Sequence, residues 1–347
     1  MQTNLFDYHL PEDRIAQEPM TPRDRSRLLV LDRATGEMQH KHFADIIEEL
    51  HAGDLLIANE SKVFKARLEG KTSRPTNPAF SPIEIFLLRP HAGNEWIALA
   101  KPGKKLSIGS EILFASDVKA VVKEKRSEDG TVILAFEKSP EEIIAWTDTA
   151  GSIPVPPYVR ASETNTKNYQ TVYAKNVGSV AAPTAGFHFT PELIKKLEQK
   201  GVRFATVTLH VGLGTFRPVQ TDDLNDHIMH EEWVSVPMEV RDLIKETRSN
   251  GHLAIAVGTT TVRALESGLT EGFTNIFIKP GYHFTWIDGL ITNFHLPKST
   301  LLVLISSFIG ERHQDPDKGR QIAIATYEKA IELGYRFYSF GDAMFIR

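Results

Sequence analysis

The segment HLAIAVGTTTVRALESG, residues 252–268, decides the fold. HLAIAV is a short apolar strand. Gly258 and three threonines follow it, and TVRALESG then has the character of a helix. A strand that runs through a glycine loop into a helix is the building unit of an α/β domain, and repetition of that unit implies parallel strands with helical crossovers. The unit recurs on both sides. Downstream, GLITNF reads as a strand and STLLVLISSFIG as a helix, followed by the helix QIAIATYEKAIELG and the strand YRFYSFGDAMF. NIFIKPG also reads as a strand. Upstream, TPELIKKLEQKG has Thr190 as N-cap, Pro191 in the first turn and Gly201 closing, and it leads into the strand VRFATVTLHVG. Near the start of the chain, SRLLVL and DLLIAN are apolar strands, and FADIIEELHAG has helical spacing ending at Gly53.

Between about 59 and 151 the character changes. RLEG, IEIFLLR, EWIALA, SEILF, VKAVVKEK and TVILAFE are short runs rich in Val, Ile, Phe and Leu, separated by turn signals. Strands at this spacing predict a small β-barrel or sandwich. The expected architecture is therefore α/β: a barrel-like main domain of residues 1–58 and 152–347, with an all-β barrel of residues 59–151 inserted. The pattern alone does not separate an open main sheet from a closed one.

The 347 residues suit two domains. Hydrophobic residues at 41% and charged residues at 24% are the mix of a globular enzyme. No apolar run is long enough to span a membrane, and MQTNLFDYHLPEDRIAQEP lacks the basic end and apolar core of a signal peptide. The absence of cysteine excludes disulfides, thiolate catalysis and Cys-based zinc sites. A cytoplasmic protein, monomeric and without a membrane partner, is expected. A net charge of −4 argues against nucleic acid taken alone, but leaves room for a local basic patch.

Four polar, glycine-rich loops lie at predicted strand or helix junctions: SVAAPTAGFHFT (179–190), HVGLGTFRPV (210–219), GTTTVRALES (258–267) and ITNFHLPKSTLL (291–302). Active sites of α/β domains gather in such loops. Gly258-Thr259-Thr260-Thr261 is either a plain helix cap or an anion site built from backbone N–H groups and hydroxyls. HVGLG lacks the third glycine of a dinucleotide fingerprint. His227 and His230 invite a metal reading, but their spacing fits no zinc motif and no third ligand is evident, so no metal is expected. His188, His210 and His295 sit in small-residue loops, either as packed structural residues or as parts of one pocket. Lys62, Lys65 and Arg67, with Lys101, Lys104 and Lys105, are the candidate RNA-binding cations, against the simpler reading of solvated surface.

These four loops, together with YRFYSFGDAMFI (335–346), closely resemble the signature blocks of the S-adenosylmethionine:tRNA ribosyltransferase-isomerase family of queuosine biosynthesis. FDYHLPEDRIAQEP, DLLIANESKVFKARL, KPGKKL and GSIPVPPYVR followed by YQTVYA agree as well, so the resemblance runs from residue 6 to 346. The chain departs at Phe187, at Glu60-Ser61-Lys62 and at Thr261, where the family usually has Leu, Asp-Thr-Arg and Ser.

The resemblance implies an α/β barrel-like domain carrying an inserted β-barrel. It also implies a tRNA substrate with 7-aminomethyl-7-deazaguanine at the wobble position, S-adenosylmethionine as ribosyl donor, and epoxyqueuosine-tRNA, adenine and methionine as products. No bound cofactor or metal is implied. Such chemistry needs a base, an acid and a clamp for the methionine end. His188, His210 and His295 are the candidate proton carriers, with Asp342 as partner or base. Thr184, Gly212, Gly214, Thr215, Thr259, Thr260, Arg263, Asn293, Ser299 and Thr300 are the candidate substrate-binding residues. Arg263 is expected to pair either with the donor carboxylate or with Glu266.

Overall fold

A computed structural model describes residues 1–75, 77–156, 158–160, 162–212, 219–315 and 317–347. The chain forms two compact units. One comprises Met1–Ser61, Pro156–Asn176 and Ala182–Arg347, and the other Lys62–Val155 and Val177–Ala181.

In chain order the strands are β1 (Arg27–Leu31), β2 (Met38–His42), β3 (Leu55–Asn59), β4 (Ser61–Val63), β5 (Arg67–Arg74), β6 (Asn77–Pro90), β7 (Glu95–Lys101), β8 (Glu111–Phe114), β9 (Lys119–Lys125), β10 (Val132–Phe136), β11 (Gly151–Ser152), β12 (Asn176–Ser179), β13 (Arg203–Leu209), β14 (Glu232–Ser235), β15 (Ala254–Val257), β16 (Glu271–Thr274), β17 (Gly289–Asn293) and β18 (Ala343–Ile346). The helices are α1 (Ile46–Glu49), α2 (Pro140–Ala150), α3 (Glu163–Asn168), α4 (Pro191–Lys200), α5 (Met238–Ser249), α6 (Thr259–Glu266), α7 (Thr300–Gly310) and α8 (Lys318–Glu332).

The larger unit is built on a nine-stranded sheet of order β16-β14-β13-β3-β15-β17-β18-β1-β2. Its centre, β13-β3-β15-β17, is parallel, as apolar runs such as LLIAN and AIAV require when helices cover both faces. The barrel-like expectation for this unit is corrected. Among the described residues β16 and β2 pair only with their inner neighbours, so the sheet is open and mixed. Leu28, Leu56, Ile255, Ile291 and Phe345 meet Phe43, Phe189, Leu193 and Leu197 in one core.

One register matters for the site. β18 runs antiparallel to β17, pairing Asn293 with Ala343. The segment before β18 therefore arrives at the same sheet edge as the loop after β17.

Helix α4 follows its predicted punctuation. Thr190 Oγ1 accepts from Leu193 N at 3.1 Å, and Gly201 takes φ +93°. The helix read over FADIIEELHAG is shorter than expected: α1 ends at Glu49 and Leu50 is extended. Asp54 explains the early stop, because its carboxylate accepts from His51 N at 2.8 Å and from Leu253 N at 2.9 Å, holding the chain out of helix. NIFIKPG is not a strand. The strand β16 lies just before it.

In the smaller unit β5, β6, β7, β10, β9 and β8 form an antiparallel barrel closed by the β5–β8 pairing. This is the expected barrel, filled by Phe64, Leu68, Ile85, Trp96, Leu134 and Phe136. Helix α2 starts with a capping box in which Ser139 and Glu142 satisfy each other's backbone N–H groups, at 3.3 and 2.8 Å. Among the described residues no helix is long and apolar enough to cross a membrane.

Candidate active site

The carboxyl ends of β13, β15 and β17 open onto a cleft of about 640 Å³. Its wall comes from four loops and the segment before β18. Ala182–Ala185, Val211, Gly258–Thr260, Thr292–Leu296 with Ser299, and Tyr338-Ser339 all face it, together with Tyr158. A parallel sheet gathers strand ends at one edge, and this is the ordinary place for a ligand in such a fold. Among the described residues no Asp, Glu, Lys or Arg lines the cleft. The described wall offers charge on a ligand dipoles and aromatic faces.

Of the three predicted histidines, only His295 stands on the wall. Its Nε2 bonds to Thr292 Oγ1 at 2.9 Å, and its backbone N–H donates to Tyr327 Oη at 3.2 Å. His188 is buried behind the wall. Asn293 Nδ2 donates to the Tyr338 carbonyl at 3.2 Å, which fixes which end of the amide is nitrogen, and the same Nδ2 lies 3.1 Å from His188 Nε2. Nε2 is therefore the acceptor, and Nδ1 carries the proton to Ser26 Oγ at 2.7 Å. Asn293 Oδ1 in turn accepts from Thr184 Oγ1 at 3.2 Å, a residue on the cleft wall. His188 is thus linked to the cleft wall through Asn293 and Thr184. His210 bonds Ser61 Oγ through Nδ1 at 2.8 Å and stacks on Trp233 with ring centroids 5.1 Å apart. Its neighbour Val211 is the residue that faces the cleft.

Burial lowers all three imidazoles: His188 to about 3, with Arg336 and Arg23 adding to the effect, His210 to about 4 and His295 to about 3. They are neutral at neutral pH. In the unfolded chain a histidine titrates near its ordinary value of about 6.5. Between that value and the lower folded ones, the unfolded chain binds more protons. Their contribution to stability is present in full above about pH 6.5 and is lost as pH falls toward 4, by up to about 1.4 kcal/mol per pH unit for each histidine. Urea unfolding should give a lower midpoint at pH 5 than at pH 7.5. Equal midpoints would contradict these environments.

Asp342 lies outside the cleft wall. It accepts from Arg27 N at 3.0 Å, from Arg336 N at 2.8 Å and from the Arg336 guanidinium at 3.2 Å, so both oxygens anchor backbone. Arg263 does not pair with Glu266. Its guanidinium bonds Glu232, both being buried, and the other oxygen of Glu232 accepts from Gly212 N at 2.9 Å. Glu266 is instead taken up by Tyr282 Oη and the backbone N–H groups of Thr285 and Trp286. Ser299 lines the cleft and also caps α7, accepting from Leu302 N at 3.2 Å, while Thr300 is the buried first residue of that helix. Gly214 and Thr215 lie outside the described residues.

The aromatic part of the wall was not foreseen from the sequence. Tyr158 and Tyr338 stack with centroids 4.4 Å apart, and Tyr158 Oη bonds Ser339 Oγ at 2.9 Å. Tyr338 holds φ +70°, a conformation costly outside glycine and concentrated at functional sites. Both tyrosines belong to the family-like blocks GSIPVPPYVR and YRFYSFGDAMFI, but nothing in their spacing distinguishes them from core aromatics.

Residues 3–346 match the family described as "Queuosine biosynthesis protein". This chain belongs to that family. The queuosine biosynthesis match is accompanied by a solved relative, the S-adenosylmethionine tRNA ribosyltransferase from Thermotoga maritima. It is 38% identical, with 99% of this chain and 100% of that one covered and a TM-score of 0.54.

The candidate RNA-binding cations all fall in the smaller unit. Lys65 is spent on the Asp148 carbonyl and Arg67 on Glu84 at 3.6 Å, while Lys62 and Lys104 are exposed. Lys101 and Lys105 line a groove on the barrel with Lys71, Glu69 and Glu84. Among the described residues no three His, Cys, Asp or Glu side chains are grouped to hold a metal.

Proposed function

We propose that this chain transfers the ribosyl moiety of S-adenosylmethionine to 7-aminomethyl-7-deazaguanine at the wobble position of tRNA and isomerises it, giving epoxyqueuosine-tRNA, adenine and methionine. The observation that carries the reading is the full-length relation to a solved S-adenosylmethionine tRNA ribosyltransferase. The cleft offers chemistry that suits it.

The sulfonium acidifies the C5′ hydrogens of the donor, and removal of one starts elimination of adenine. His295 is the proton acceptor in this scheme. A neutral imidazole whose pKa is held near 3 is a weak base, but the imidazolium it forms is a strong acid. The proton is then passed readily to the departing adenine. The substrate amine attacks unprotonated and loses a proton once its C–N bond has formed, and a ribose oxygen closes the epoxide as the C–S bond breaks and methionine leaves with that electron pair on sulfur. Thr184, Asn293 and Ser299 hold the donor hydroxyls, and the faces of Tyr158 and Tyr338 supply a surface for a base or a sulfonium.

The net charge of −4 favours a second reading, an S-adenosylmethionine-dependent enzyme acting on a small molecule. Adenine release measured with and without the modified tRNA separates the two. Release is expected only with RNA. Rapid release from the donor alone would reject the coupling.

RNA binding is assigned to the barrel lysines. Replacing Lys101, Lys104 and Lys105 together by Glu should weaken tRNA binding. It should also flatten the slope of log affinity against log salt by about 0.7–0.9 for each phosphate that the variant no longer neutralises. Unchanged affinity would move the RNA site elsewhere, to the Arg23–Arg27 segment.

A further inference from the structure

Three threonines follow Gly258, and among the described residues only one of their hydroxyls has a partner. Thr261 Oγ1 donates to the Val257 carbonyl at 2.7 Å. The helix cap is not a threonine: Gly258 occupies that position at φ +92°, with no side chain closing the first turn. The N–H groups of Thr261 and Val262 bond to the Gly258 carbonyl, at 3.1 and 3.2 Å. Those of Thr259 and Thr260 have no partner among the described residues. Thr260 Oγ1 is buried with no partner among the described residues, and the residue, 8% exposed, lines the cleft. The hydroxyl lies 3.6 Å from the point where a Cβ on Gly258, the residue before the helix, would sit.

A buried hydroxyl without a partner costs free energy. Two adjacent N–H groups at a helix start carry the positive end of the helix dipole. The three donors face a cleft with no cationic side chain on its described wall, because Arg263 below them is committed to Glu232. They are complementary to one small anion.

We propose that Thr260, with the N–H groups of Thr259 and Thr260, binds the α-carboxylate of the S-adenosylmethionine donor and so fixes which end of the cleft the methionine occupies. This rests on the proposed function. A carboxylate fits better than a tRNA phosphate. At 5% and 8% exposure, Thr259 and Thr260 admit the tip of a small molecule held inside the cleft, whereas a phosphodiester arrives flanked by two sugars. Thr260 is then a specificity-determining residue for the donor.

The test compares wild type, Thr260→Val and Thr260→Ser in the full-length protein. Each is measured for equilibrium binding of S-adenosylmethionine and of its decarboxylated analogue, for tRNA affinity and for melting temperature. Valine has the shape of threonine and removes a hydroxyl that has no partner among the described residues, so the melting temperature should hold or rise. S-adenosylmethionine should bind Thr260→Val about 10- to 100-fold more weakly, as expected for a hydrogen bond to a charged group. The decarboxylated analogue should bind wild type and Thr260→Val alike, and Thr260→Ser should stay close to wild type.

Equal losses for both donors, or undiminished discrimination between them, would overturn the assignment. A Thr260→Val protein that keeps its donor affinity and loses tRNA affinity would show the anion to be a phosphate and overturn it as well. A wild type that binds no donor and releases no adenine would overturn the parent function together with the anchor. Wild-type adenine release with unchanged discrimination in Thr260→Val would remove the anchor alone.

Discussion

Replacing His295 by alanine is expected to lower kcat for tRNA-dependent adenine release by about 10²–10⁴-fold, the usual share of a proton carrier. The expectation is specific to this histidine because it alone of the three stands on the cleft wall. Folding should change less than at His188, since among the described residues the ring's hydrogen-bond partner is Thr292 alone. The pH profile should carry a second signature. With the imidazole lowered to about 3, kcat/KM should show no histidine limb near pH 6.5. The same substitution at His188 should behave in the opposite way. It leaves buried Asn293 and Ser26 without their shared partner, so stability should fall before turnover does. Equal effects on turnover at both sites, with stability intact, would contradict the division into wall and support.

Glu232→Ala should destabilise the protein by about 3–5 kcal/mol, because it strands the buried Arg263 guanidinium without its counter-charge. It also removes the acceptor of Gly212 N, at the start of a cleft loop. The asymmetry is the useful part. Glu232→Leu combined with Arg263→Met removes both charges, and should recover most of the loss in a urea titration. Arg263 is one turn along α6 from Thr259 and Thr260, so the double variant also reports whether the ion pair holds the helix start in place. A double variant as unstable as the single one would show that the pair contributes packing rather than charge balance.

The elements legible in the sequence are those with both a periodic pattern and punctuation. TPELIKKLEQKG carries a cap, a proline and a closing glycine, and it is α4. FADIIEELHAG has the spacing but gives only the short α1, because Asp54, beyond the pattern, captures the backbone. Closure of the β-rich stretch into a barrel depends on a pairing between β5 and β8, and short alternating runs suggest it without determining it. Open and closed main sheets give the same apolar runs, so only the pairing of β16 and β2 decides between them.

The loops that meet at the cleft are visible in the sequence as loops, because small and polar residues interrupt apolar strands there. The roles inside them are not visible. Whether a histidine faces a cleft or backs it depends on the turn that carries it. His188 and His295 look equivalent in sequence, yet Asn293 stands between His188 and the wall. Arg263 has a plausible partner three residues on. Its actual partner, Glu232, lies at the start of β14, directly after a segment whose histidines invite a metal reading. Long-range pairs of this kind leave no local mark.

The central claim is that the donor gives its ribose and not its methyl group. The most direct measurement uses two preparations of S-adenosylmethionine, one labelled in the ribose and one in the methyl group, each incubated with the modified tRNA. The account predicts ribose label in the RNA, equimolar with released adenine, and methyl label recovered in free methionine. Methyl label in the RNA, or ribose label that never leaves the donor while adenine accumulates, would contradict it.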